Sequence, residues 1–148
     1  MSLVRLCRKA VVTISPDASA LEAAKLMRSK HVGCLVVVDG LRPIGILTDR
    51  DIVLKVVAGE REPTDTVVND IMTSNPTMVN VNYDVIDAVR LMRSRGVRRL
   101  PVVDERRHLL GIITMDDILT GVGAEVGDLV GAVQKEIGLE AAEAGARE

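Results

Sequence analysis

The chain contains one pattern twice. At an offset of 65 residues, "ALEAAKLMRSKHVGCLVVVD" (20–39) lies over "VIDAVRLMRSRGVRRLPVVD" (85–104), matching Ala, Leu-Met-Arg-Ser, Val, Leu, Val-Val and Asp in order. A loop longer by one residue then moves the offset to 66, and "GILTDRDI" (45–52) lies over "GIITMDDI" (111–118). Similarity of this extent restricts the fold to architectures built from two like units, whatever the composition.

Each copy has the same physical pattern. A short β-rich run (Val11 to Ile14; Thr77 to Val81) leads through a polar turn, "SPDAS" or "NYD", into a helix. In the second copy Val85, Ile86, Ala88, Val89 and Met92 share one face at helical spacing, Leu91 widens it, and Gly96 supplies a stop. A nearly continuous apolar run follows, Leu35 to Val38 or Leu100 to Val103, which predicts a strand buried on both faces. In the first copy Asp39-Gly40 then signals a turn and 44–47 returns as a hairpin partner. Thr48 and Thr114 open a further helix.

The unit is therefore β-α-β-β-α, a parallel crossover followed by an antiparallel hairpin. Alone it would leave one apolar sheet face wet, and two copies packed together remove that defect. The expected class is α/β (α+β): two such repeats related by a pseudo-twofold axis, with a C-terminal amphipathic helix. The expected segments are 1–62, 63–122 and 123–148, with "AGEREPTD" (58–65) as a short charged linker. In the last segment Val126, Leu129, Val130, Val133 and Ile137 recur at helical spacing, which predicts a helix docked on its own chain, or otherwise on a partner. The terminal "AAEAGARE" is expected to fray.

The chain has 148 residues, 47% of them hydrophobic, enough to fill a core without a metal or a disulfide framework. Only 1% is aromatic, a single Tyr and no Phe or Trp, which argues against the stacking platforms of single-stranded nucleic-acid binders. The formal net charge of −2 provides no global attraction to nucleic acid or an anionic membrane. Locally, 90–107 carries seven arginines against Asp104 and Glu105, whereas 121–148 carries six acids against Lys135 and Arg147. Cys7 and Cys34 have no metal-ligand spacing and fit free thiols in a reducing cytosol. Without a secretory h-region or an apolar run of about 18 residues, a cytoplasmic protein is expected.

The repeated T-x-x-D has two readings. A Thr at the N-cap accepts from the backbone N–H three residues on, and an acid there reaches back to the cap N–H, a pairing worth about 1 kcal/mol. Alternatively, free N–H groups at a helix start beside a strand end make an anion site. Gly45 and Gly111 would let a ligand approach closely. A Thr hydroxyl there suits a phosphate oxygen and an ionised Asp suits a ribose diol, which together suggest a nucleotide.

With these residues set out, the duplicated pattern, including "VVTISPDASALEAAKLM" with "CLVVVDGLRPIGILTDRDIV" and "MVNVNYDVIDAVRLM" with "RRLPVVDERRHLLGIITMDDIL", resembles the CBS domain pair, or Bateman module. The resemblance covers about residues 5 to 122, and "DIMT" (70–73) is similar to the family's usual opening. It implies two repeats packed sheet to sheet, with two clefts that take AMP, ADP, ATP or S-adenosylmethionine as a regulatory ligand. Carried over, Asp51 and Asp117 would hold ribose hydroxyls and Thr48 and Thr114 would approach phosphate. Thr13, Ile14, Met78 and Val79 would wall the adenine. Arg98 and Arg99 stand where the family often places phosphate-contacting bases, whereas the first copy has Gly33 and Cys34 there, so the clefts should differ.

The leading function is thus a regulatory adenine-nucleotide-binding module, expected as a homodimer. The alternative is a ligand-free dimerisation and protein-interaction module with an unidentified partner. No P-loop, supported nucleophile or His-rich metal spacing marks an enzyme or a metal site. His31 reads as an exposed helix-end residue and His108 as a loop residue.

Overall fold

The computed structural model describes residues 1–146. The first repeat runs α1 (Leu3–Leu6), β1 (Thr13–Ile14), α2 (Ala20–Lys30), β2 (Cys34–Asp39), β3 (Arg42–Thr48) and α3 (Asp49–Ile52), which continues as one π-helical stretch, Val53–Val57. The second runs α4 (Val68–Ile71), β4 (Thr73–Ser74), β5 (Val79–Asn80), α5 (Val85–Arg95), β6 (Arg99–Val103) and β7 (Leu109–Thr114). One long helix, α6 (Met115–Gly145), follows.

The helix signals read from the chain act as expected. Ser19 caps α2 with a full capping box to Glu22, and Asp84 caps α5 by accepting from the Asp87 N–H. Both helices end on a left-handed residue at equivalent positions, His31 (φ 53°) and Gly96 (φ 64°). Glycine adopts that conformation without strain, whereas His31 adopts it as an exposed helix end. In each copy the first and second strands are parallel and the second and third antiparallel, as the crossover and hairpin require. Leu35, Val36 and Val37 of β2 are all buried, so the strand is covered on both faces.

The lead-in segments of the repeats are exchanged, which the repeat pattern alone does not show. β4, near the start of the second repeat, adds to the first repeat's sheet by pairing Thr73 with Ile46 and Ser74 with Gly45. Reciprocally, Arg8, near the start of the first repeat, bridges Ile112 of β7. Ser19 bridges Val67 and Ser2 bridges Asp84, so the exchange obeys one twofold relation throughout. The first repeat's core accordingly joins Ile14, Ala23, Met27, Leu35, Val37 and Leu47 to Val68 and Ile71 of α4. Each such fully buried aliphatic side chain is worth about 1.5–3 kcal/mol of transfer free energy.

This exchange corrects the reading of Gly45 and Gly111. A side chain at Gly45 would meet Met72, and one at Gly111 would meet the Cys7 thiol and the Arg8 carbonyl oxygen. The groups that approach these glycines closely are therefore the exchanged lead-in segments, not a ligand.

Residues 1–114 form one compact unit, and α6 begins the second. α6 is uninterrupted from Met115, so the second helix of the repeat and the C-terminal amphipathic segment form one element. The face expected to dock keeps Val126, Leu129, Val130, Val133 and Ile137 half exposed or more. Of "AAEAGARE", residues up to Gly145 are helical, and Arg147 and Glu148 lie outside the described residues. No described helix is long and apolar enough to cross a membrane.

Candidate functional site

Alternation along β3 sends Leu47 into the core and turns Ile46 and Thr48 to the opposite sheet face. Thr48 is also the N-cap of α3. Its Oγ1 accepts from the Asp51 N–H (3.2 Å), and Asp51 Oδ2 accepts from the Thr48 N–H (2.9 Å) and hydroxyl (3.0 Å). The other carboxylate oxygen of Asp51 lies 3.4 Å from Lys55 Nζ, which donates onward to the Ile71 carbonyl (2.8 Å). Lys55 thus ties the site's carboxylate to the exchanged helix α4. The equivalent position in the second copy is Gly121, so that copy has no matching cation.

Thr48 opens onto a cavity of about 500 Å³ lined from both repeats. The first contributes Ile46, Thr48 and Arg50; the second contributes Thr73, Asn75, Pro76 and Thr77 from its lead-in segment, Val97 and Arg98 from the turn before β6, and Arg99 at the start of β6. A volume of this size suits a small ligand. The lining supplies three guanidiniums and several hydroxyl or amide groups over a mostly apolar surface.

Arg98 and Arg99 therefore lie with the first copy's Thr48, although Arg99 is the backbone partner of Thr114 in the β6–β7 ladder. The side chain of Arg99 reaches the Cys34 thiol, which occupies the equivalent position in the first copy. Two equivalent residues in contact mark the pseudo-twofold axis.

Burial pushes the Cys34 thiol above its ordinary range, the Arg99 guanidinium opposes that rise, and the Asp49 and Asp51 carboxylates add to it. Replacing Arg99 with methionine, of similar bulk but uncharged, should raise the thiol further. The pH midpoint of Cys34 alkylation by iodoacetamide, followed by peptide mass mapping, is expected to move upward; a downward move would contradict the contact.

Thr48, Arg98 and Arg99 line the cavity, whereas Asp51 sits behind Thr48, half-buried and turned to the cap and to Lys55. Ile14 and Val79 are buried in their sheets, and Thr13 is exposed on β1. Met78 lines a neighbouring cavity of about 500 Å³, with Asn80, Tyr83, Arg95, Asp104 and Arg107, across the shared segment Asn75, Pro76 and Thr77. Thr114 ends β7 and Asp117 lies in the first turn of α6.

Sequence reasoning missed Arg50, Pro76, Thr77 and Val97. Arg50 was legible as the extra basic residue inside "TDRD", where the second copy has Asp116. The basic cluster is divided: Arg98 and Arg99 line one cavity, Arg95 and Arg107 the other, and Arg90 pairs with Asp87 at 3.8 Å. Both cysteines are unbridged, and no group of three or more metal-ligating side chains occurs among the described residues.

Comparison with known proteins gives the following. The sequence model described as CBS domain matches residues 4–58 and 68–123. A Methanopyrus kandleri protein is 42% identical over 120 residues, 80% of this chain and 61% of its own length. The chain thus spans less than two thirds of that relative. The solved structure of a CBS domain protein from Pyrobaculum aerophilum complexed with AMP is 26% identical, with a TM-score of 0.71, covering 79% of this chain and 89% of that one. The CBS domain pair of protein MJ0100, in complex with 5'-methylthioadenosine and S-adenosylmethionine, is 25% identical with a TM-score of 0.75, covering 84% and 98%.

Proposed function

The chain belongs to the CBS domain family and carries the domain twice, and on that premise we propose that it is a regulatory module binding an adenosine derivative, AMP, ADP, ATP or S-adenosylmethionine, between its repeats. The observation that carries this reading is the cavity that joins Thr48 and Arg50 of one repeat to Thr77, Arg98 and Arg99 of the other. Structures of two family members contain AMP, or S-adenosylmethionine with 5'-methylthioadenosine, which supports an adenosine ligand.

In this reading Asp51 takes the ribose hydroxyls. Its Oδ2 already serves the cap and its Oδ1 faces Lys55, so binding shares the carboxylate with the cap. The Thr48 hydroxyl points its proton at Asp51 and would turn to donate to phosphate. Thr13, Ile14, Met78 and Val79 contribute the adenine walls, chiefly through backbone groups, and Thr114 with Asp117 serves the second copy in the same way. A ligand touching both repeats favours whichever packing binds it better, and that difference is the regulatory signal. The reading is of a binding module, not an enzyme.

We also place a homodimer contact on the first repeat, where Val53, Leu54 and Val57 are 52–68% exposed on one helical stretch.

Thermal unfolding with an adenosine panel tests the proposal. Ligand at 100 times its dissociation constant adds about 2.7 kcal/mol, so a clear upward shift is expected with at least one compound. Asp51→Ala should lose most of that shift, beyond its own cap cost of about 1 kcal/mol. Absence of any shift across the panel would favour the ligand-free interaction module instead.

A further inference from the structure

We propose that this cavity selects its ligand by negative charge, taking an adenosine di- or triphosphate in preference to the monophosphate or a sulfonium, and that Arg50 sets the preference. The proposal rests on the nucleotide reading above. Arg50, Arg98 and Arg99 line the cavity, and among the described residues no carboxylate does. The two acids that flank Arg50 in the chain are engaged elsewhere: Asp51 with the cap and Lys55, and Asp49 through its Oδ1, which accepts from the Arg50 backbone N–H (2.8 Å). Among the described residues the Arg50 side chain makes no ion pair, and it is exposed.

A guanidinium matches phosphate oxygens as a planar fork, so Arg98 and Arg99, from one repeat, suffice for a single phosphate group. Arg50 comes from the other repeat and is surplus to a monophosphate. Each added phosphate brings about one more negative charge and further acceptor oxygens, which a third guanidinium can receive. A sulfonium would instead place positive charge against three arginines. The second copy reverses the arrangement, with Asp116 at the position of Arg50.

The test is calorimetric titration of the full chain with ATP, AMP and S-adenosylmethionine, without divalent cation and at fixed ionic strength, for wild type, Arg50→Ala and Arg50→Lys. The wild type is expected to bind ATP at least about tenfold more tightly than AMP, a difference of about 1.4 kcal/mol. Arg50→Ala should remove most of that ratio by weakening ATP far more than AMP, Arg50→Lys should restore part of it, and both variants should melt as the wild type does. AMP or S-adenosylmethionine binding as tightly as ATP, or Arg50→Ala weakening AMP and ATP equally, would overturn the charge selection and leave the nucleotide reading standing. If none of the three binds, the nucleotide reading falls and takes this proposal with it.

Discussion

Ile71→Ala is expected to destabilise the protein by about 2–5 kcal/mol, the usual cost of emptying a fully buried aliphatic site, and to loosen the first repeat rather than the second. Ile71 belongs to α4, which opens the second copy, yet its side chain is fully buried in the core of Ala20, Ala23, Met27, Leu35 and Leu47. Its carbonyl also receives the Lys55 ammonium, so the disturbance should reach Asp51. Urea unfolding measures the cost, and native-state amide exchange locates it. Faster exchange in α2 with α5 little changed is the expected pattern; the reverse would show that the lead-in segment serves its own repeat.

Gly111→Ala should damage the protein far more than Gly45→Ala, although the two glycines are equivalent in the repeat. An added methyl at Gly45 meets only the flexible side chain of Met72, which can swing aside. At Gly111 it meets the Cys7 thiol and also the Arg8 carbonyl oxygen, at 2.7 Å. That carbonyl accepts from the Ile112 N–H (3.0 Å) and cannot retreat without breaking the bridge. That bridge holds the N-terminal segment, in which Leu3 is fully buried. The expected loss is about 1–3 kcal/mol or more for Gly111→Ala, against a change within about 0.5 kcal/mol, typical of tolerated substitutions, for Gly45→Ala. Paired thermal melts check the contrast, and equal shifts would contradict it.

The two glycines show where sequence reasoning stops. Their equivalence was legible, as were the capping pair Thr48 and Asp51, the C-terminal stop at Gly96 and the doubly buried β2, because each depends on residues a few positions apart. The identity of what packs against each glycine was not legible, since the neighbours come from segments 27 and more than 100 residues away (Met72 against Gly45, and Cys7 and Arg8 against Gly111). The first helix pair also resisted: α3 passes into a π-helical stretch at Val53, and nothing in the apolar spacing indicates the extra residue per turn. α6, by contrast, runs through Gly121, Gly123, Gly127 and Gly131 without a break, although each glycine costs about 1 kcal/mol of helix propensity.

By itself the amino-acid sequence determined that this protein is a duplicated β-α-β-β-α unit with a Thr and Asp pair at two helix starts, because periodicity, capping and turn chemistry are local. Only the tertiary structure decided that Arg98 and Arg99 of the second copy line the cavity of the first copy's Thr48, together with Arg50. The exchanged lead-in strand β4 pairs with β3 and carries Pro76 and Thr77 to that cavity, and contact across the twofold axis between Cys34 and Arg99 places the arginine there. Which distant strand edges join depends on the burial of whole sheet faces, a property of the assembled molecule that no short stretch encodes.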